Sequence, residues 1–318
     1  MYILGFDIGG TKCSAVTARW DGTSLTILKS SSIPTDHSIH PLAYIEKLFS
    51  IADGILEQQP DAIGISCGGP LDATRGVIMS PPNLPEWDNI EITALAERHF
   101  GVGAKLQNDA NAGALAEWKF GAGRGYENMI FMTFGTGLGG GLILNGRLYE
   151  GTNGNAGEVG HLRLAEYGPV GYGKRGSFEG FCSGGGISQI GYTLGLEAVQ
   201  SGKSPSYFKD GCSQRDITAK VIADAARNGD ETAKEVFRIS GEYLGRGISI
   251  LIDLLNPEAI VIGSIFARCE DLLSEGMNKA INRDALPFAA SACRVLPAEL
   301  GENIGDYAAL AVAITERD

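Results

Sequence analysis

Residues 131–146 read FMTFGTGLGGGLILNG and contain a G-x-G-x-x-G match at Gly135, Gly137 and Gly140. As a dinucleotide fingerprint, that pattern must follow a strand and open a helix whose N-terminus supports a pyrophosphate. Here the glycines run into GLILNGRLYEG, which alternates and then breaks at Asn145-Gly146, a hairpin-type dipeptide. A second strand is expected after the turn, not a helix. Nor does an acidic residue close a βαβ unit about twenty residues on. The motif fails its own contextual test, and a dehydrogenase is set aside.

A strand–glycine turn–strand hairpin still cradles phosphate, because glycines admit backbone N–H groups to an anion and threonine adds a hydroxyl. One such hairpin is no more than a structural turn. The chain has two. YILGFDIGGTKCSAVTARWDG (2–22) and MIFMTFGTGLGGGLILNGRLYEG (129–151) share one plan: apolar strand, polar residue, glycine turn with threonine, second apolar strand, polar turn. Duplication implies two similar halves facing each other. Residues 1–115 are expected to form the first and 116–304 the second, with a terminal helix of about 305–318 packing back on the first.

The rest of the chain alternates. Helices are expected over 41–59, 92–100, 112–121, 269–283 and 305–317, with two more in 216–256 parted at Gly229-Asp230; strands are expected over 61–69, 104–108, 257–265 and 293–300. The class is α/β. Net charge is −12 over 318 residues, and the basic residues are scattered. That argues against a nucleic acid partner, which needs clustered Lys and Arg. The N-terminus MYILGFDIGG lacks the pattern of a secretory signal, and no apolar stretch approaches the ~20 residues that span a bilayer. Six cysteines are spread singly, none at C-x-x-C spacing. Reduced thiols in a cytoplasmic protein, with no membrane partner, are expected.

FDIGGTK (6–12) resembles the first phosphate motif of the actin-like sugar kinase and ATPase fold, FGTGLGGG (134–141) the second, and PEAIVIGS (257–264) the adenosine motif. Their order and spacing are similar to those of ROK-family proteins, a group of sugar kinases and sugar-responsive repressors, over essentially the whole chain. The resemblance implies two actin-like (ribonuclease H-like) domains with a nucleotide and sugar cleft between them. It implies an ATP- and Mg²⁺-dependent hexose kinase, glucose being the first expectation, at the 6-hydroxyl. Mannose, fructose, N-acetylglucosamine and N-acetylmannosamine remain alternatives, as does a non-catalytic sugar sensor. The family's repressors carry a helix-turn-helix ahead of the kinase-like part, whereas Asp7 already lies in the first phosphate motif, so a kinase is expected. A homodimer is the family-level expectation.

The same resemblance assigns residues. Asp7, Gly9, Gly10, Thr11 and Lys12 would serve the nucleotide from the first hairpin, with Asp7 positioning hydrated Mg²⁺. Lys12 reads equally as a surface lysine after a turn. Thr133, Gly135, Thr136 and Gly137 would serve from the second hairpin, and Gly263 from the adenosine motif, where Ser264 replaces a second glycine common in the family. Asp109, in QNDANAGALAE (107–117), would take the proton from the sugar hydroxyl, with Asn108 holding a neighbouring hydroxyl. From the residues alone Asp109 reads equally as a helix N-cap. Glu158, His161 and Glu179 would hold the sugar ring. Gly69, in SCGGPLD (66–72), and Asn83, in SPPNLPEW (80–87), would lie beside it. In relatives the histidine is followed by a CxCGxxGCxE zinc run. Here Val170, Tyr172 and Ser177 stand in place of the cysteines, and none is a good zinc ligand. No zinc site is expected, and packing of Tyr172 and Phe178 is expected to hold the loop instead.

Overall fold

The computed structural model describes residues 1–209 and 211–315. The chain builds two five-stranded sheets. The first contains β1 (Tyr2–Ile8), β2 (Lys12–Trp20), β3 (Leu25–Pro34), β4 (Ala62–Cys67) and β5 (Ala104–Asn108). The second contains β6 (Met129–Phe134), β7 (Leu138–Leu144), β8 (Arg147–Leu148), β9 (Ala259–Ile262) and β10 (Arg294–Pro297). Strand order is β3-β2-β1-β4-β5 in one and β8-β7-β6-β9-β10 in the other. In each, the first strand pairs antiparallel with the second across the glycine turn and parallel with the fourth. The duplicated plan in the sequence is thus a duplicated topology, and the fold is α/β with two actin-like domains. The glycines at 135–140 lead into a strand, and the hairpin turns at Asn145-Gly146, both at positive φ.

Ten helices cover the sheets among the described residues: α1 (Pro41–Ile55), α2 (Ile92–Phe100), α3 (Asp109–Phe120), α4 (Phe178–Phe181), α5 (Gly184–Gln200), α6 (Ala219–Arg227), α7 (Glu231–Leu255), α8 (Ile265–Asp284), α9 (Pro287–Ala292) and α10 (Ile304–Ile314). Tyr44, Leu48 and Phe49 of α1 and Ile92 and Ala96 of α2 pack on the outer face of the first sheet. Helices α5 to α8 bury the largest core against the second. No helix among the described residues is long and apolar enough to cross a membrane.

Two helices lie between the sheets. The alanines of α3 pack on β6, β7 and β9, together with Ala308, Ala311 and Val312 of α10. On its other side α10 sends Leu310 and Ala313 against Ile3, Val16 and Ala18 of the first sheet. Approach is close on both sides. A Cβ at Gly64 in β4 would lie 2.0 Å from the Ala309 carbonyl oxygen, and one at Gly141 in β7 would lie 2.6 Å from that of Ala110. The glycines of β7 therefore admit α3, and with it Asp109.

Several elements depart from expectation at their ends. Helix α1 stops at Ile55, because Leu56 is extended. Helix α3 begins at Asp109 rather than 112, and α8 at Ile265 rather than 269. Helix α5 was not legible behind its three opening glycines; Ser183 caps it, accepting from the Gly186 N–H at 3.0 Å. The terminal helix ends at Ile314, and residues 316–318 of the expected span lie outside the described residues.

Candidate active site

The parallel strands of both sheets end at one cleft, as ligand sites in open α/β sheets do. In the first sheet the register aligns Asp7 with Ser66 and Cys67 with Asn108. Asn108, not Asp109, caps α3: its Oδ1 accepts from the Asn111 N–H at 2.7 Å. Asp109 accepts from the adjacent Ala110 N–H, at 2.9 Å. Its carboxylate is left facing the cleft.

Two cavities occupy the cleft. The smaller, of about 510 Å³, is lined by Asp7, Lys12, Ser66, Thr133, Gly263, Ser264, Ala298, Asp306 and the segment from Gly301 to Gly305. The larger, of about 650 Å³, is lined by Gly69, Asn83, Asn108, Gly135, Thr136, Gly137, Glu158, His161 and Glu179. Asp109 and Thr133 are the residues common to both. The six residues expected around the sugar thus share one cavity. Of those expected around the nucleotide, Asp7, Lys12, Thr133 and Gly263 line the other.

Gly9, Gly10 and Thr11 line neither cavity. The Gly9 carbonyl accepts from Thr35 Oγ1 at 2.6 Å, and the Thr11 carbonyl from the Thr35 N–H at 2.9 Å. A Cβ at Gly10 would lie 2.5 Å from the Asn83 carbonyl oxygen, so this glycine lets the Asn83 loop close on the turn. Glu179 touches the second turn as well as the larger cavity: its Oε2 accepts from the Leu138 N–H at 3.0 Å. Thr133 Oγ1 accepts from the Gly139 N–H at 3.0 Å and ties that turn from inside.

Charge gathers at the junction. Asp109 is open to the cleft but lies at its bottom, ringed by protein, and this desolvation raises its pKa. The Glu158 charge pushes the same way, against the Ala110 N–H. Asp7 is pushed up to about 6 by burial first and then by the carboxylates of Asp109 and Asp306, with Lys12 and the Ser66 hydroxyl opposing. Three carboxylates against one lysine leave a negative excess that suits a hydrated cation. Among the described residues no three His, Cys, Asp or Glu side chains converge tightly enough to hold a metal directly. Mg²⁺ fits this arrangement as an ion that keeps its waters and leans on substrate phosphates.

Sequence reasoning missed Ser66 and Asp306. Ser66 was within reach, because pairing β1 with β4 sets it beside Asp7. Asp306 had no local signal. It lies on α10 and receives the hydroxyls of Ser14 at 2.7 Å and Ser30 at 2.8 Å from the first sheet. Ser264 stands at φ +55, ψ −112, a conformation easy only for glycine.

The loop after His161 is held without cysteines. Gln189 pairs with both the N–H and the carbonyl of Val170, at 2.9 and 2.8 Å. Ser177 caps α4, accepting from the Gly180 N–H at 3.1 Å. Phe178 is fully buried, and the Tyr172 ring meets that of His161.

The model of the ROK family matches residues 3–316. A glucokinase of Thermotoga maritima is 30% identical, over 99% of this chain and 98% of that protein. A xylose repressor of Bacillus spizizenii is 26% identical, over 95% of this chain and 74% of its own length. Among solved structures, a ROK family glucokinase from Streptomyces griseus in complex with glucose and AMPPNP superposes with a TM-score of 0.78 at 29% identity, covering 98% of this chain and 99% of that one.

Proposed function

The chain belongs to the ROK family and is an ATP-dependent sugar kinase, and on that premise we propose that its acceptor is D-glucose, phosphorylated at the 6-hydroxyl with Asp109 as general base. The observation that carries this reading is the position of Asp109, one of the residues shared by the two cavities. A sugar in the larger cavity and a nucleotide in the smaller meet there. The hydroxyl oxygen attacks the γ-phosphorus, its proton passes to Asp109, and the bond from phosphorus to the bridging oxygen breaks to leave ADP. A carboxylate with a raised pKa accepts that proton more readily. Asn108 takes over the capping of α3, so the base is not spent on its own helix. Glu158, His161, Glu179 and Asn83 orient the ring, and Lys12 offsets phosphate charge. When bound beside Asp7, Mg²⁺ would neutralise charge spreading over the transferred group.

Glucose is favoured because the kinases this chain is similar to include the glucokinases of Thermotoga maritima and Streptomyces griseus; mannose, fructose and N-acetylhexosamines are the competitors. A non-catalytic sensor would be expected to lack the base or a phosphate turn, and this chain has both. Six free thiols, four of them buried, support a reducing cytoplasmic setting. For assembly we propose a homodimer. Its face would include Ile250 and Leu254 of α7 with Leu286 and Phe288, all exposed, and the Leu286 N–H donates to Asp253 at 2.9 Å, which brings these residues together.

ADP release with Mg-ATP across a panel of hexoses and N-acetylhexosamines tests the reading. Asp109→Asn should lower kcat by about 10²–10⁴ while sugar binding persists. Sugar binding without turnover in the wild-type protein would replace the kinase by a sensor.

A further inference from the structure

Two hairpins of this chain turn through two residues that both have positive φ. In one, Asn145 and Gly146 (φ +53 and +71) join β7 to β8. In the other, Tyr172 and Gly173 (φ +44 and +74) join Val170–Gly171 to Lys174–Arg175. This geometry favours Asn, Asp or Gly at its first position. Asn145 obeys the preference. Tyr172 does not, and a bulky aromatic residue held in the left-handed region points to a function that selects it.

Burial does not select Tyr172, which is 68% exposed. Its ring lines the larger cavity. It also stands edge-to-face with the His161 imidazole, centroids 5.3 Å apart and planes at 86°. Among the described residues the hydrogen bonds of His161 run through its backbone: its N–H donates to the Glu158 carbonyl at 3.2 Å, and its carbonyl accepts from Lys174 Nζ at 2.5 Å. The main chain is therefore anchored from the second strand of the same hairpin, and the imidazole is packed by the residue at its tip.

We propose that Tyr172 is a positioning residue for sugar recognition, its ring holding the His161 imidazole by the edge-to-face contact and forming the outer wall on which the sugar seats. This rests on the sugar kinase reading. It assigns to one strained tip the orientation that imidazoles in binding sites otherwise take from a hydrogen-bonded partner.

The test uses two variants of the full chain. Tyr172→Asn installs the favoured turn residue, and Tyr172→Phe keeps the ring. D-glucose binding is measured by calorimetry without nucleotide, turnover with Mg-ATP over the sugar panel, and unfolding by urea. Tyr172→Asn should be at least as stable as wild type, yet raise the glucose Kd and KM about tenfold, the scale of one lost aromatic contact, with kcat within about threefold. Tyr172→Phe should match wild type. A Tyr172→Asn variant with wild-type Kd and KM overturns the proposal, as does one that loses stability and kcat together, or a Tyr172→Phe variant as weak as Asn. Wild-type protein that binds no sugar of the panel overturns the kinase reading itself, and this inference with it.

Discussion

Asp7 shows at the scale of one residue how the site opposes the fold. Its carboxyl titrates near 6 in the folded chain against an ordinary 3.8, for reasons of burial and of its acidic neighbours. The unfolded chain therefore loses this proton first. Stability falls as pH rises from about 4 to 6, and the full loss persists above, at most about 3 kcal/mol for a shift of this size. Asp7→Asn should be more stable than wild type at pH 7.5, by up to that amount, with little difference at pH 4 and with turnover impaired. Urea unfolding at the two pH values checks it; equal stability at pH 7.5 would show that the buried charge costs nothing. The residues of the site differed in how far they could be read. Asp109 could be read as cap or base, and nothing in QNDAN decides between them. The backbone removes the cap reading: with Asn108 as the last residue before α3, the cap falls to its amide, and Asp109 is left for the base role we propose.

At the scale of elements, packing distance is the controlling quantity. Helix α10 lies so close to β4 that a methyl at Gly64 would meet the Ala309 carbonyl and the Ala313 N–H, both backbone. Neither side can give by rotating a side chain. Gly64→Ala should therefore destabilise the chain by about 3 kcal/mol, the upper end for overpacking. A thermal midpoint unchanged within the range of ordinary surface substitutions would mean that α10 does not seat this tightly. Strands and amphipathic helices were legible because their periods are local: β5 and α2 fall on the expected spans 104–108 and 92–100. Helix α5 was not, because GGGISQIGYTLGL offers poor propensity and its helicity comes from the Ser183 cap and burial against α7. The closing of the first turn by Asn83 was equally hidden, since it joins segments some seventy residues apart.

At the scale of the molecule, two topologically equal halves meet at a cleft, and we propose that the first sheet with α1 and α2 moves against the second sheet when both substrates bind, excluding water from the transfer. The proposed assembly has its own test. Light scattering after gel filtration should give twice the 33.5 kDa chain mass, and Leu254→Arg combined with Phe288→Arg should return the single mass with sugar turnover retained. A wild-type chain already at 33.5 kDa would remove the dimer. The duplication was legible from two sequence stretches, and the terminal helix is expected on the first half, whereas its packing against α3 on the other side is a tertiary fact with no period to betray it. That place bears on how the protein is made. The first sheet leaves the ribosome early, but the helix that covers its inner face is translated after every other described element. Neither half can finish folding before α10 has left the ribosome. A chain halted before Ile304 would expose the cores of both, so quality control would meet an unfinished beginning as well as a missing end.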